Sequence, residues 1–262
     1  MISEGLKRLW RVCSGMVIVE HCRFGGNFGV KGGAIYTRAG TLDISNTHFE
    51  ANLARHHGGG IWAESGSGIG RGVRPILNLA DVTFKANMGG AFYAEGAIVT
   101  LERIEFLDNI MDSQAMGGGA LLCIGTEISV VDCVFKRNQQ HQVYSLYYDP
   151  PSYGGGAISL WRSTLDVENT EFTRNIAANE GGVIDSWDSS MEITDCVFTM
   201  NGAGESGGVI DMGLGELLIR NSVFTNNHAG GDGGGIRTLK VGAIIRDSAF
   251  DGQVWSHLAA AH

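Results

Sequence analysis

Short runs in which apolar and polar residues alternate return along the chain, each at the same distance before a phenylalanine. Val17/Val19, Leu42/Ile44, Leu77/Leu79, Leu165/Val167, Met191/Ile193 and Leu217/Ile219 stand seven and five residues ahead of Phe24, Phe49, Phe84, Phe172, Phe198 and Phe224. Period-two alternation over such short runs predicts strands. Phe106, Phe135 and Phe250 complete the series, and every member but the last is followed three residues later by asparagine: Asn27, Asn52, Asn87, Asn109, Asn138, Asn175, Asn201 and Asn227. Three residues before the Phe comes mostly Asn or Asp, as in Asn46, Asp81, Asp132 and Asn169. These residues close turns through their own backbone, so a corner is predicted there.

A glycine pair opens each unit, as in Gly32-Gly33-Ala34-Ile35 and Gly155-Gly156-Ala157-Ile158. From the second glycine to the Phe the interval is 16 residues in seven units, and only Gly59 to Phe84 departs, at 25. A fixed interval of that length leaves room for two strands and a rigid corner. The distance from Phe to the next glycine pair varies from 6 residues (Phe84 to Gly90) to 21 (Phe135 to Gly156), so insertions belong on one side of the unit. Units of roughly 26 residues cannot bury a core singly; stacked, they pair strand to strand and bury a continuous one. The predicted fold is all-β: a right-handed parallel β-helix solenoid of about nine coils, on the order of 43 Å long. Residues 1–14 are expected as a short helical cap, 15–252 as the solenoid and 253–262 as a tail or second cap. Stacking places the columns Phe49, Phe84, Phe106, Phe135, Phe172, Phe198, Phe224 and Asn52, Asn87, Asn109, Asn138, Asn175, Asn201, Asn227 inside. There the asparagine amides form a hydrogen-bonded ladder.

The GGA(I/L/V) and FxxN motifs, recurring in phase over about residues 15–250, resemble the repeats of the chlamydial polymorphic outer membrane proteins. These are right-handed parallel β-helices that serve as passenger domains of autotransported adhesins. The resemblance implies the fold and suggests adhesion or another binding role.

Composition narrows the choice of partner. Glycine supplies 40 of 262 residues, mostly in the pairs and loops, and 19 basic against 28 acidic residues leave a net charge of −9. No long basic stretch occurs, so nucleic acid is not an expected partner. The amphipathic start, with Leu6, Leu9 and Trp10 opposed by Lys7, Arg8 and Arg11, lacks the apolar run of a signal peptide, and no membrane span is predicted. Cys22, Cys133 and Cys196 fall in one inward column on distant coils and are expected as thiols, as are Cys13 and Cys123.

Candidate chemistry is sparse. The residue after each GGxI strand forms a column, Tyr36, Trp62, Tyr93, Leu122, Ser159, Asp185, Asp211 and Arg237, predicted to face outward as a stripe that is aromatic early and charged late. Exposed rings of this kind suit a glycan or a protein partner, although they could equally cover neighbouring loops. The longest insertion, 139–153, carries Tyr144, Tyr147, Tyr148 and Tyr153 around Pro150-Pro151, the composition of a recognition loop. Asp185 and Asp211, with Asp188, Glu180 and Glu205 close in sequence, are the alternative: stacked carboxylates of a polysaccharide lyase or glycoside hydrolase. The chain lacks the Asn-x-Asp, Asp-Asp and Gly-His-Gly set of a polygalacturonase. His56 and His57 have no third ligand at metal spacing, so no metal and no cofactor is expected. The leading expectation is a non-catalytic scaffold that binds a protein or glycan partner; a subunit of a larger assembly is the third reading.

Overall fold

The structure is a computed structural model and describes residues 10–12, 15–66, 72–112, 117–141 and 154–255. The described chain is all β: a right-handed parallel solenoid of about eight turns, with no helix. Nine stacked phenylalanines enclose eight steps, which accounts for the difference from nine coils. Within the segment expected as a helical cap, Trp10–Val12 form a strand instead, paired in parallel with Ile35–Thr37. The remainder of that segment up to Ser14 lies outside the described residues.

Each turn carries three main strands and a short fourth. In one turn these are Leu121–Ile124, Glu127–Val131, Val134–Lys136 and Gln139–Gln140. Every strand pairs in parallel with its counterpart one turn on, so Leu121 faces Ile158, Ile128 faces Leu165 and Phe135 faces Phe172. Three bends close the turn, and each uses a residue in the left-handed region. Gly125 (φ 55°), Asp132 (φ 55°) and Arg137 (φ 55°) make the bends of this turn; Asp188 (φ 51°), Asp195 (φ 54°) and Met200 (φ 55°) make those of a later one. Left-handed residues with a Cβ are costly singly and tolerated where neighbouring rungs over-determine them.

Inside the bends run three ladders. The phenylalanine rings from Phe24 to Phe250 stack with centroids 4.4 to 5.0 Å apart. Each ladder asparagine donates through Nδ2 to Oδ1 of the next and to a Phe carbonyl of an earlier turn; for Asn138 the partners are Asn175 (3.0 Å) and Phe106 (2.9 Å). Gln253 takes the last place: its Oε1 accepts from Asn227 (3.1 Å) and its Nε2 donates to the Phe224 carbonyl (2.8 Å). A third ladder, of thiols and hydroxyls, follows the second bend. Thr170 Oγ1 accepts from the Cys133 backbone N–H, and Ser222 Oγ from that of Cys196. Cys123, Cys133 and Cys196 are buried free thiols, while Cys22 is exposed. The glycine pairs lie where backbone meets backbone; a Cβ on Gly208 would run into the carbonyl oxygen of Gly234. The aliphatic and Phe columns form one continuous core from Val19 to Phe224.

Candidate functional site

The outward face of the first sheet holds two adjacent columns. One is Tyr36, Trp62, Tyr93, Leu122, Ser159, Asp185, Asp211 and Arg237, in unbroken register. The other, two residues along each strand, is Glu64, Glu95, Ile124, Trp161, Trp187, Gly213 and Leu239. The two exchange character midway: the first runs from aromatic to charged, the second from charged to aromatic.

The aromatic half of the first column is not an exposed stripe. Tyr36, Trp62 and Tyr93 are 9, 5 and 5% exposed. Trp62 and Tyr93 stack at 3.9 Å, the His57 ring lies 5.3 Å from Tyr93, and Lys31 Nζ sits 4.5 Å over the Trp62 ring. Their polar atoms are engaged too. The Tyr36 hydroxyl (2.5 Å) and Trp62 Nε1 (2.8 Å) donate to Glu64, and the Tyr93 hydroxyl donates to Glu95 (2.9 Å). Burial works against the charge on Glu64, but hydrogen bonds from Tyr36, Lys31 and Trp62 hold its carboxyl below the ordinary range. Alternation along a strand says that a side chain leaves the sheet, not that water meets it, and here the segment around His57 covers the rings. Burial also drives the His57 imidazole down to about 4, so it is neutral at pH 7. Neither His56 nor His57 belongs to a group of three potential metal ligands among the described residues.

Asp185 and Asp211 face each other on adjacent strands, as their spacing requires, Arg237 follows in the same column, and Glu180 comes into contact with them. One carboxylate oxygen from each of the three acids lies within 4.8 Å of the others. Arg237 Nη1 donates to Glu180 Oε1 (2.7 Å) and Asp211 Oδ2 (2.9 Å). Asp185 Oδ2 accepts the Gly154 backbone N–H at 2.8 Å. Burial pushes the Asp211 carboxyl up to about 8; Glu180 and Asp185 add to the rise, and Arg237 opposes it. At pH 7 Asp211 is therefore largely protonated. The three acids could each lend one oxygen to a cation, but Arg237 already bridges two of them, so the position is filled from within the chain. Asp188 stands apart: it occupies a bend, its side chain is 54% exposed, and it pairs with Arg162 at 3.5 Å. Tyr144, Tyr147, Tyr148 and Tyr153 lie outside the described residues; the loop that carries them re-enters the described chain at Gly154, beside Asp185.

Trp161 and Trp187 were missed at the sequence level. They sit on adjacent rungs, both half-buried, two residues along from Ser159 and Asp185. Trp187 lies over Gly213, where a Cβ would strike the indole ring, and the Arg162 guanidinium stands 5.8 Å from the Trp161 ring. Whereas the Trp62 indole N–H is given to Glu64, neither of these two meets an acceptor among the described residues. A comparison of every second residue along the first strand, rather than of one column, would have found them. A separate shallow groove of about 540 Å³ runs over the second sheet, lined by Asp166, Glu192, Met191 and Leu217 among others. There burial, and then Glu192, hold the Asp166 carboxyl above its ordinary range.

Stacked parallel rungs, three bends to the turn and inward ladders define a β-helix. Residues 32–250 match the family described as right handed beta helix region, and the chain belongs to that family. No curated protein and no solved structure matches the chain. Among the described residues no helix is long and apolar enough to cross a membrane.

Proposed function

We propose that the chain is a non-catalytic β-helical scaffold that binds a glycan on the outward face of its first sheet. Trp161 and Trp187 supply the stacking surface, and the tyrosine-bearing loop that ends at Gly154 supplies further contacts. The observation that carries this reading is the contrast between the two halves of the face. The hydroxyls of Tyr36 and Tyr93 and the Trp62 indole N–H are buried and bonded, whereas the late pair is half-buried and its indole N–H groups meet no acceptor among the described residues. Indole faces stack on the C–H faces of sugar rings, while the N–H groups meet hydroxyls. The resemblance of the repeats to adhesin passengers supports a binding role, and a protein partner is the variant of this reading that the same face allows. Affinity electrophoresis through gels containing soluble neutral or acidic polysaccharides tests it. Retardation of the native protein that disappears in the Trp161→Ala/Trp187→Ala double variant is expected. Free migration in every gel, or equal retardation of the variant, would sink it.

The second reading, a polysaccharide lyase or glycoside hydrolase, is favoured by one observation: Asp211, a carboxyl that holds its proton near pH 8, stands beside Asp185. Release of reducing ends or unsaturated products, abolished in Asp211→Asn, would establish it over the binding role. A screen without turnover would remove it. A role as a subunit of a larger assembly predicts a complex when the full-length protein is purified from its source, and a free monomer contradicts it.

A further inference from the structure

Gly213 is the one residue of the second outward column without a side chain, and nothing in its backbone calls for glycine. It lies inside the strand Ile210–Arg220, and its φ is outside the left-handed region. Glycine within a strand weakens it and marks a place where another group comes close. Here that group is a ring. The three atoms nearest to where a Cβ of Gly213 would stand all belong to the Trp187 indole, whereas at Gly208 and Gly215 they are backbone atoms. Trp187 therefore leans along the solenoid over the backbone of the next turn. Trp161 stands in register on the preceding turn. Both indoles are half-buried, and neither stacks on another ring, unlike Trp62, which lies 3.9 Å from Tyr93.

The charges around the two rings are already engaged. Arg162 pairs with Asp188 (3.5 Å), and Arg237 with Glu180 (2.7 Å) and Asp211 (2.9 Å). Asp185 accepts the Gly154 backbone N–H, and Asp211 holds its proton at pH 7. The loop 142–153, which re-enters the described chain at Gly154, carries Asp149 and no lysine or arginine. Lys240 makes no ion pair among the described residues, but it sits two turns beyond Asp188 at the same bend, about 10 Å along the axis.

We propose that the two indoles form a platform for an uncharged polysaccharide, and that Gly213 is the positioning residue that lets Trp187 lie along the sheet to receive it. The inference rests on the glycan-binding reading above and narrows its ligand. A polyuronate or sulfated glycan would bring a negative charge with each repeat to rings that have no free base beside them, on a chain of net charge −9. A polymer of amino sugars could gain an acid only by breaking an existing pair, which would leave an arginine uncompensated. Neutral sugar rings need no counter-charge: their C–H faces meet the indoles and their hydroxyls meet the indole N–H groups.

The test is biolayer interferometry of the full chain at pH 7 over sensors coated with glucomannan, dextran, polygalacturonate or glycol chitosan. Each is run in low salt and in about 1 M sodium chloride, where charges are screened beyond about 3 Å. Binding to glucomannan or dextran that salt leaves unchanged is expected, with none to polygalacturonate. Gly213→Ala should weaken that binding about fivefold or more and add nothing to the loss caused by Trp187→Ala. Trp187 lies outside the core, so the thermal midpoint of Gly213→Ala should stay near that of wild type. A Gly213→Ala chain that fails to fold, binds as wild type does, or weakens binding equally in the Trp187→Ala background overturns the positioning role. Binding confined to polygalacturonate, or to glycol chitosan and abolished by salt, keeps a glycan-binding face and overturns the uncharged ligand. Absence of binding to all four polymers removes the glycan reading itself, and this inference with it.

Discussion

Replacing Asn138 by alanine removes one rung from the middle of the amide ladder, and the structure sets the size of the loss. The Asn138 amide makes four hydrogen bonds: its Nδ2 donates to Phe106 O and Asn175 Oδ1, and its Oδ1 accepts from the backbone N–H and Nδ2 of Asn109. Alanine would leave the Phe106 carbonyl and two donors on Asn109 without these partners, all of them buried. Asn175 Oδ1 would keep the Asn138 backbone N–H, at 3.0 Å. At about 1–3 kcal/mol for each orphaned buried group, three groups cost about 3–6 kcal/mol after partial relaxation. Asn78, whose Nδ2 bonds Asp43 on the outer face, should lose less than about 1 kcal/mol on the same substitution. Urea unfolding followed by circular dichroism measures both, with m-values compared to confirm that the same surface unfolds. An Asn138→Ala cost no larger than that of Asn78→Ala would refute the claim that the ladder holds the turns together.

Other outcomes follow from the same geometry. The Asp211 carboxyl, raised to about 8 in the fold from an ordinary value near ~3.9, binds a proton there that the unfolded chain has already lost. Its favourable contribution is fully present below the unfolded value and is lost as pH rises to about 8, so Asp211→Asn should gain stability relative to wild type between pH 5 and pH 9 by urea midpoint. A stability difference, variant minus wild type, that stays constant or falls with rising pH contradicts this assignment. Burial raises the Cys133 and Cys196 thiols to about 11, and Cys123 also upward, so a disulfide reagent should label Cys22 in the native protein and those three only after denaturation. Rapid native labelling of Cys133 would show the stack to be open. Gly208→Ala, which drives a Cβ into the Gly234 carbonyl, should destabilise by more than about 3 kcal/mol, and a thermal midpoint equal to wild type would contradict the close approach of those backbones.

The repeat was legible because stacking imposes one interval on every turn: a residue out of phase would face the wrong way on a strand whose side chains alternate. Strand order, the Phe column and the Asn column all follow from that constraint. Gln253 escaped notice because a longer amide performs the same bonding, which a residue-by-residue motif does not anticipate. The burial of Tyr36, Trp62 and Tyr93 was legible only as the alternative to an exposed stripe, since the cover around His57 comes from another part of the turn and shares no pattern with the strand it lies on. The pairing of Asp185 with Asp211 could be read from spacing alone. Arg237 was legible as the next residue of that column and Glu180 as a neighbour in sequence, but the contact of Glu180 with the pair could not be read, because Glu180 precedes its glycine pair in a segment whose length varies between turns. Trp161 and Trp187 repeat with the period of the turns but stand two places from the column that drew attention.

Where two turns match without insertion, as Gly181–Ser206 and Gly207–Asp232 do, each inter-turn bond repeats at the same offset: Asn175 to Asn201 and Asn201 to Asn227 both span 26 residues. A stretch of chain that ends in the bonds it began with can be copied or excised whole without leaving a donor stranded at the seam. The length of such a molecule is thus free to change in steps of one turn, about 4.8 Å at a time, while both faces keep their alignment.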